Sequence, residues 1–169
     1  MLIPNKSNWR WLLISVALIG LDLWTKNLAS SQLIYGRPVE VLPMFNLVLQ
    51  HNPGAAFSFL ADLGGAQVWL FSIIAIVVSV VMVVWLGRLK PDQRLLSASL
   101  AFIVGGAIGN VWGRIELGYV VDFISLHYQS SYFPTFNIAD IAINIGAGLM
   151  ILDIILNPEK AESESEKAK

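Results

Sequence analysis

Residues 63–87, LGGAQVWLFSIIAIVVSVVMVVWLG, run 25 positions without a charge, are rich in Val and Ile, and stop against Arg88, Lys90 and Arg94 around Pro91. Crossing ~30 Å of hydrocarbon takes about 20 apolar residues in a helix, so this stretch predicts a transmembrane span, placed at 66–87. Composition agrees. Hydrophobic residues make up 56% of the chain and charged residues 14%, against about 45–50% and about 25% in soluble domains. The length of 169 residues fits one membrane domain over 1–157. A net charge of -1, with the basic residues scattered, leaves no footprint for nucleic acid. The absence of cysteine excludes disulfides, a thiol nucleophile and thiolate metal sites.

Working outward, residues 95–113 are again uncharged, and Ser97, Ala101, Gly105, Gly109 and Gly113 recur at every fourth position. Such a row leaves one helix face nearly bare, which lets another membrane helix approach closely. The fourth span is the expected partner. It is placed at 138–156, where Asn137, Asp140, Asn144 and Gly148 form a polar stripe that should face protein or water. Toward the N-terminus, a basic head precedes an apolar run from Trp11 that Asp22 interrupts. The run resumes beyond Asp22, and Ala29-Ser30-Ser31 lies far downstream, so a retained first span over 9–28 is expected instead of a cleaved signal peptide. Residues 34–60, with Pro38, Pro43 and Pro53 punctuating short strand-like pieces, predict a small extracytoplasmic sheet resting on the bilayer. The tail, 158–169, is polar and expected to be disordered. With both ends cytoplasmic, Lys6, Arg10, Arg88, Lys90, Arg94, Lys160, Lys167 and Lys169 lie inside and only Lys26, Arg37 and Arg114 outside, the arrangement that the positive-inside rule selects.

The chemistry concentrates between Val120 and Asp140. Asp122, expected in the loop after the third span, and Asp140, near the start of the fourth, are pressed against apolar neighbours, and no charge separates them. Carboxylates at the edge of hydrocarbon are costly and by default functional. Two that share a site cannot both ionise easily, so one keeps a proton while the other acts as base toward water. That chemistry needs no metal and no cofactor; the plainer alternative is that each aspartate caps a helix. Asp22 and Lys26, at i and i+4, are expected to form a surface ion pair with a snorkelling lysine, which could also contact a lipid phosphate. Asn110, Arg114 and Asn137 could orient the carboxylates, and Asn52-Pro53-Gly54 opens a turn into a short helix over Ala55–Ser58. His51 and His127 lack metal-ligand spacing and are expected at the surface or interface. A proton-coupled transporter subunit is the rival class, disfavoured because both carboxylates sit toward one face and no helical repeat is found.

Five motifs in order carry a resemblance: LDLWTK at 21–26, HNPGAAFSFL at 51–60, GGAIGN at 105–110 with Arg114, GYVVDFI at 118–124 and FNIAD at 136–140. Together they resemble the bacterial lipoprotein signal peptidase family, signal peptidase II, over nearly the whole chain. The resemblance implies an α-helical inner-membrane protein with four transmembrane helices, a small periplasmic β-cradle and a short helix over the active site. It implies an aspartyl endopeptidase acting on diacylglyceryl-modified prolipoproteins within membrane lipid, cutting just before the lipidated cysteine, without cofactor and expected as a monomer. Asp122 and Asp140 match the catalytic pair, and Asn52, Gly54, Asn110, Arg114, Asn137 and Ala139 match positions around it. One departure stands out. The family's acidic residue before the motif arginine is Gly113 here, which predicts reduced activity, a local rearrangement with Glu116 as substitute, or a relative that binds precursors without cutting them.

Overall fold

The computed structural model describes residues 6–54 and 65–158. After a 3-10 turn at Lys6–Trp11, four helices carry most of the chain: α1 (Leu12–Gln32), α2 (Ala66–Arg88), α3 (Arg94–Leu117) and α4 (Ile138–Leu156). Each is long and apolar enough to cross a membrane, since even the 19 residues of α4 reach about 28 Å at ~1.5 Å per residue. Few residues of α1, α2 and α4 are buried, whereas most of α3 is. Trp69, Ile73, Ile76, Val77 and Val80 of α2 are all exposed, an arrangement suited to lipid and unfit for water. The first helix runs on to Gln32, past the expected end at residue 28, and the third continues one turn to Leu117, so that Arg114 and Glu116 are helical.

The centre of the bundle is α3, with 13 buried residues, and α1, α2 and α4 all pack on it. The bare row expected to receive α4 packs instead on α1. Ser15 Oγ donates to Ala101 O at 2.7 Å, and a Cβ added at Gly105 would stand 3.1 Å from Ser15 Cα and 3.0 Å from Leu18 Cβ. The partner of α4 is a neighbouring face. Ser99 Oγ donates to Gly146 O at 2.8 Å, a Cβ on Gly146 would lie 2.7 Å from Ile103 Cγ1, and one on Gly106 would collide with Ala139 O. A row of i+4 steps drifts about 40° per step around a helix, so a row that starts against α1 turns toward α4. At Gly109 the two meet, where an added Cβ would touch both Asp22 and Ala139.

One end of the bundle carries an antiparallel sheet, β1 (Val39–Leu42), β2 (Phe45–Asn52), β3 (Val120–Tyr128) and β4 (Ser131–Tyr132), in that spatial order. Only its first half falls in the stretch expected to form strands. Asp122 lies in β3 opposite Gln50 of β2, not in a loop, and after β4 the chain returns to pair Phe136 with Ile124 through bonds of 2.9 and 3.1 Å. This return delivers the start of α4 to the side of β3. At the other end, Asn8 Nδ2 donates to Leu86 O and Leu89 O at 3.1 and 2.7 Å, adding to the long bond of 3.3 Å that Leu86 O takes from Leu89 N where α2 ends. A core of Leu86, Leu89, Leu96 and Leu100 closes that end. The expected short helix over Ala55–Ser58 and the expected disorder of the tail from 159 onward fall outside the described residues.

The seam with α4 predicts two contrasting substitutions. Gly106→Val forces branched carbons against the α4 backbone and should lower stability by about 1–3 kcal/mol or more. Gly148→Ala, with nothing within 4 Å of the new methyl, should stay within about 0.5 kcal/mol of the parent. Thermal unfolding of the purified protein in detergent micelles checks both.

Candidate active site

Asp122, only 2% exposed, hangs from β3 with both carboxyl oxygens occupied. Oδ1 accepts from Asn137 Nδ2 at 2.7 Å, and Oδ2 accepts from Asn52 Nδ2 at 3.0 Å. Asn52 ends β2 and is oriented in turn, because its Oδ1 accepts from Gly54 N at 2.9 Å. Gly54 has to be glycine. Its φ is +91°, and a Cβ there would come 2.7 Å from the Phe71 ring.

Asp140 occupies the third position of α4 and closes a capping box with Asn137, the N-cap. Asp140 N donates to Asn137 Oδ1 at 3.0 Å, while Asn137 N donates to Asp140 Oδ2 at 3.1 Å. Asn110 Nδ2 donates to the remaining oxygen, Asp140 Oδ1, at 2.8 Å. One asparagine thus holds both aspartates. The side chain of Asn137, from a residue 0% exposed, reaches Asp122, Asn110 Oδ1 and Val121 O with its amino group and takes the Asp140 N–H with its carbonyl.

Burial pushes the Asp122 carboxyl up to about 6, and the nearby charge of Asp140 adds to the rise, while the hydrogen bonds from Asn52 and Asn137 pull it back in part. Asp122 is therefore the member of the pair suited to carry a proton. It lines a cleft of about 610 Å³ together with Gln50, Asn52, Ser125, Tyr132 and Thr135. The cleft is partly polar and open to the outside of the sheet, with room for several residues of an extended peptide.

Asn52, Gly54, Asn110, Arg114, Asn137 and Ala139 lie in or beside this cluster, and three other residues stand differently from expectation. Asp22 and Lys26 are not a surface pair. They are 0% and 5% exposed, bonded at 2.7 Å, and tied inward by Asp22 Oδ1 accepting from Ala139 N at 2.9 Å and Lys26 Nζ donating to Asn110 Oδ1 at 2.9 Å. The bare Gly109 gives them this place, since a Cβ there would stand 2.6 Å from Asp22 Oδ2. Glu116 does not substitute for the missing acid. It accepts from Trp112 Nε1 at 2.7 Å on the exposed side of α3. Arg114 is half-buried, with its guanidinium 5.8 Å from the Phe71 ring centre and one long bond of 3.4 Å to Asn110 O. Its Nε has no partner among the described residues. A side chain at position 113 would leave the helix 3.2 Å from Tyr119 O, beside a cavity that Lys26 and Glu116 also line.

Sequence reasoning misses Phe71, because a phenylalanine in an apolar span looks like any lipid-facing residue. It supports Gly54 and Arg114 at once. His51 is half-buried, stacked on Tyr119 at 4.0 Å and tilted against Tyr35 at 4.8 Å.

Comparison with known proteins converges on one family. A family model described as signal peptidase (SPase) II matches residues 14–156. The lipoprotein signal peptidase of Acinetobacter baylyi is 51% identical over 146 residues, covering 86% of this chain and 82% of the relative. That of Ectopseudomonas mendocina is 49% identical over 158 residues, covering 92% and 94%. A solved structure described as a bacterial membrane enzyme superposes with a TM-score of 0.79 at 28% identity, covering 95% of both chains. By its motifs, its fold and these relatives, the chain belongs to the signal peptidase II family of membrane peptidases.

Proposed function

We propose that the protein is a membrane aspartyl endopeptidase that removes signal peptides from diacylglyceryl-modified prolipoproteins, cutting before the lipidated cysteine, with Asp122 and Asp140 as the catalytic pair. One observation carries the assignment of residues: the buried Asn137 binds both carboxyls, Asp122 Oδ1 through its side-chain amide and Asp140 Oδ2 through its backbone N–H, so that two groups from different elements are held by one residue. A proton relay through a span would set carboxylates along the helices, whereas both members of this pair stand at the sheet end.

The chemistry follows from the geometry. Asp140 takes a proton from a water molecule as its oxygen attacks the scissile carbonyl carbon, and Asp122 gives its proton to the carbonyl oxygen. As the tetrahedral intermediate collapses, Asp140 passes the proton it took from water to the nitrogen of the leaving cysteine, the C–N bond breaks, and the hydroxyl formed from the carbonyl oxygen returns its proton to Asp122. Asn52, Asn110 and Asn137 hold the two carboxyls still throughout, which keeps reorganisation out of the barrier. The cleft beside the sheet takes the peptide around the cut. The apolar signal helix lies against the spans, and the acyl chains stay in lipid. Arg114, half-buried beside the Phe71 ring, sets its positive charge near both aspartates and balances the negative charge that the pair carries. All of these groups come from one chain, so a monomer suffices. The excess of basic residues in the segments at the N-terminus, between α2 and α3 and in the tail supports a reading with both ends in the cytoplasm and the site at the periplasmic face of the inner membrane.

Asp122→Asn and Asp140→Asn should each lower kcat by roughly 10²–10⁴-fold or more in a folded protein. The check is a mobility-shift assay of prolipoprotein cleavage by the purified enzyme in lipid. Parental rates in either variant would sink the assignment. A pH profile gives an independent prediction. As pH rises through about 6, Asp122 loses its proton, and a pair carrying two negative charges has none to deliver. The ratio kcat/KM, which reports the free enzyme, should therefore decline on the alkaline side of about 6, and a rise through that range would contradict the role given to Asp122.

A further inference from the structure

Behind the two carboxyls lies the Asp22–Lys26 pair, and its polar atoms are fully committed. An ammonium has three N–H bonds, and three acceptors face this one: Asp22 Oδ2 at 2.7 Å, Asn110 Oδ1 at 2.9 Å and Gly109 O at a long 3.5 Å. Asp22 gives its other oxygen to the Ala139 N–H at 2.9 Å. The pair therefore joins α1 to both α3 and α4, within two hydrogen bonds of Asp140.

A buried ion pair is a poor source of stability, because desolvating two charges offsets most of their attraction. Its value here is directional, and Lys26 and Asn137 act on Asn110 in the same sense. The carbonyl and amino ends of an asparagine amide are nearly alike in shape, so packing alone does not choose between its two flips. Lys26 does choose, because an ammonium can only donate. Asn110 must turn Oδ1 toward Lys26, which leaves Nδ2 pointing at Asp140 Oδ1, 2.8 Å away. Asn137 Nδ2, at 3.1 Å from the same Asn110 Oδ1, favours the same flip. Reversal would set donor against ammonium and carbonyl against carboxyl.

We infer that Asp22 and Lys26 are positioning residues for cleavage: Lys26 sets the flip of Asn110 and so anchors Asp140, while Asp22 fixes the first turn of α4 through Ala139. Neither touches substrate. The inference rests on the reading of Asp122 and Asp140 as the cleaving pair.

The test uses the full-length enzyme in lipid with a diacylglyceryl-modified prolipoprotein. The central variant is Asp22→Asn/Lys26→Met, which removes both charges together, orphans neither and keeps a side-chain oxygen on α1 for the Ala139 N–H. Its thermal midpoint should stay near the parent's, while kcat falls about 10²-fold and KM changes less than about twofold, the mark of misplaced reacting groups. Lys26→Arg, still a donor-only cation, should recover at least about tenfold of that loss. Adding Asn110→Ala to the neutral pair should be no slower than Asn110→Ala alone, because Lys26 acts through Asn110. Parental kcat in the neutral variant, independent losses that multiply, or a neutral variant that does not fold would each overturn the inference, the last by reducing the pair to a structural role. Asp122→Asn and Asp140→Asn run alongside. If those two still cut, the reading beneath the inference fails, whatever Lys26 does.

Discussion

A carboxyl group at the edge of hydrocarbon has to find its hydrogen-bond donors inside the protein, and most of this structure can be traced to that requirement. Asp122 and Asp140 present four oxygens, and each receives a donor from Asn52, Asn110 or Asn137. Hydrogen bonds to charged groups contribute about 1.5–3 kcal/mol each, and a buried charged group left without them costs more than that. The donors come from β2, α3 and the start of α4, so meeting the requirement fixes three elements relative to one another. The Phe136–Ile124 bridge completes the arrangement by returning the chain to β3 just before Asn137.

The helices serve the same end. Small residues on α3 let α1 and α4 come close enough for side-chain groups to meet at the level of Gly109. A larger residue there would part Asp22 from Ala139. Packing and polar bonding are thus one constraint, and α3, the helix with the most buried residues, carries both.

Much of this is legible in the sequence, for identifiable reasons. Charge-free runs mark spans because a charge in hydrocarbon is expensive, and Asp122 and Asp140 stand out because their surroundings are apolar. What escapes a reading of the chain needs knowledge of partners far away in it. The stretch VVDFISLHY shows no alternation of apolar and polar residues, because most of its positions are buried on both faces, and its partner β2 lies some seventy residues earlier. The spacing of Asp22 and Lys26 announces an ion pair but not which side of α1 holds it; that depends on the missing side chain of Gly109. The row from Ser97 to Gly113 is a contact surface, as its small residues indicate, but its first neighbour is α1 and not the expected α4. An i+4 row drifts around its helix, while the contact with α4 mixes steps of three and four through Ser99, Ile103 and Gly106.

The donors that hold the two carboxyls are nearly all amides, and amides do not titrate. A change in the protonation of either carboxyl therefore leaves the charge of these four donors unchanged. Salt has little purchase on them either, since the donors are neutral groups at 2.7–3.1 Å, wholly or partly withdrawn from solvent. A frame of neutral amides keeps its shape when the charge on the groups it holds changes, where a site framed by exposed histidines or ion pairs would lose its shape first.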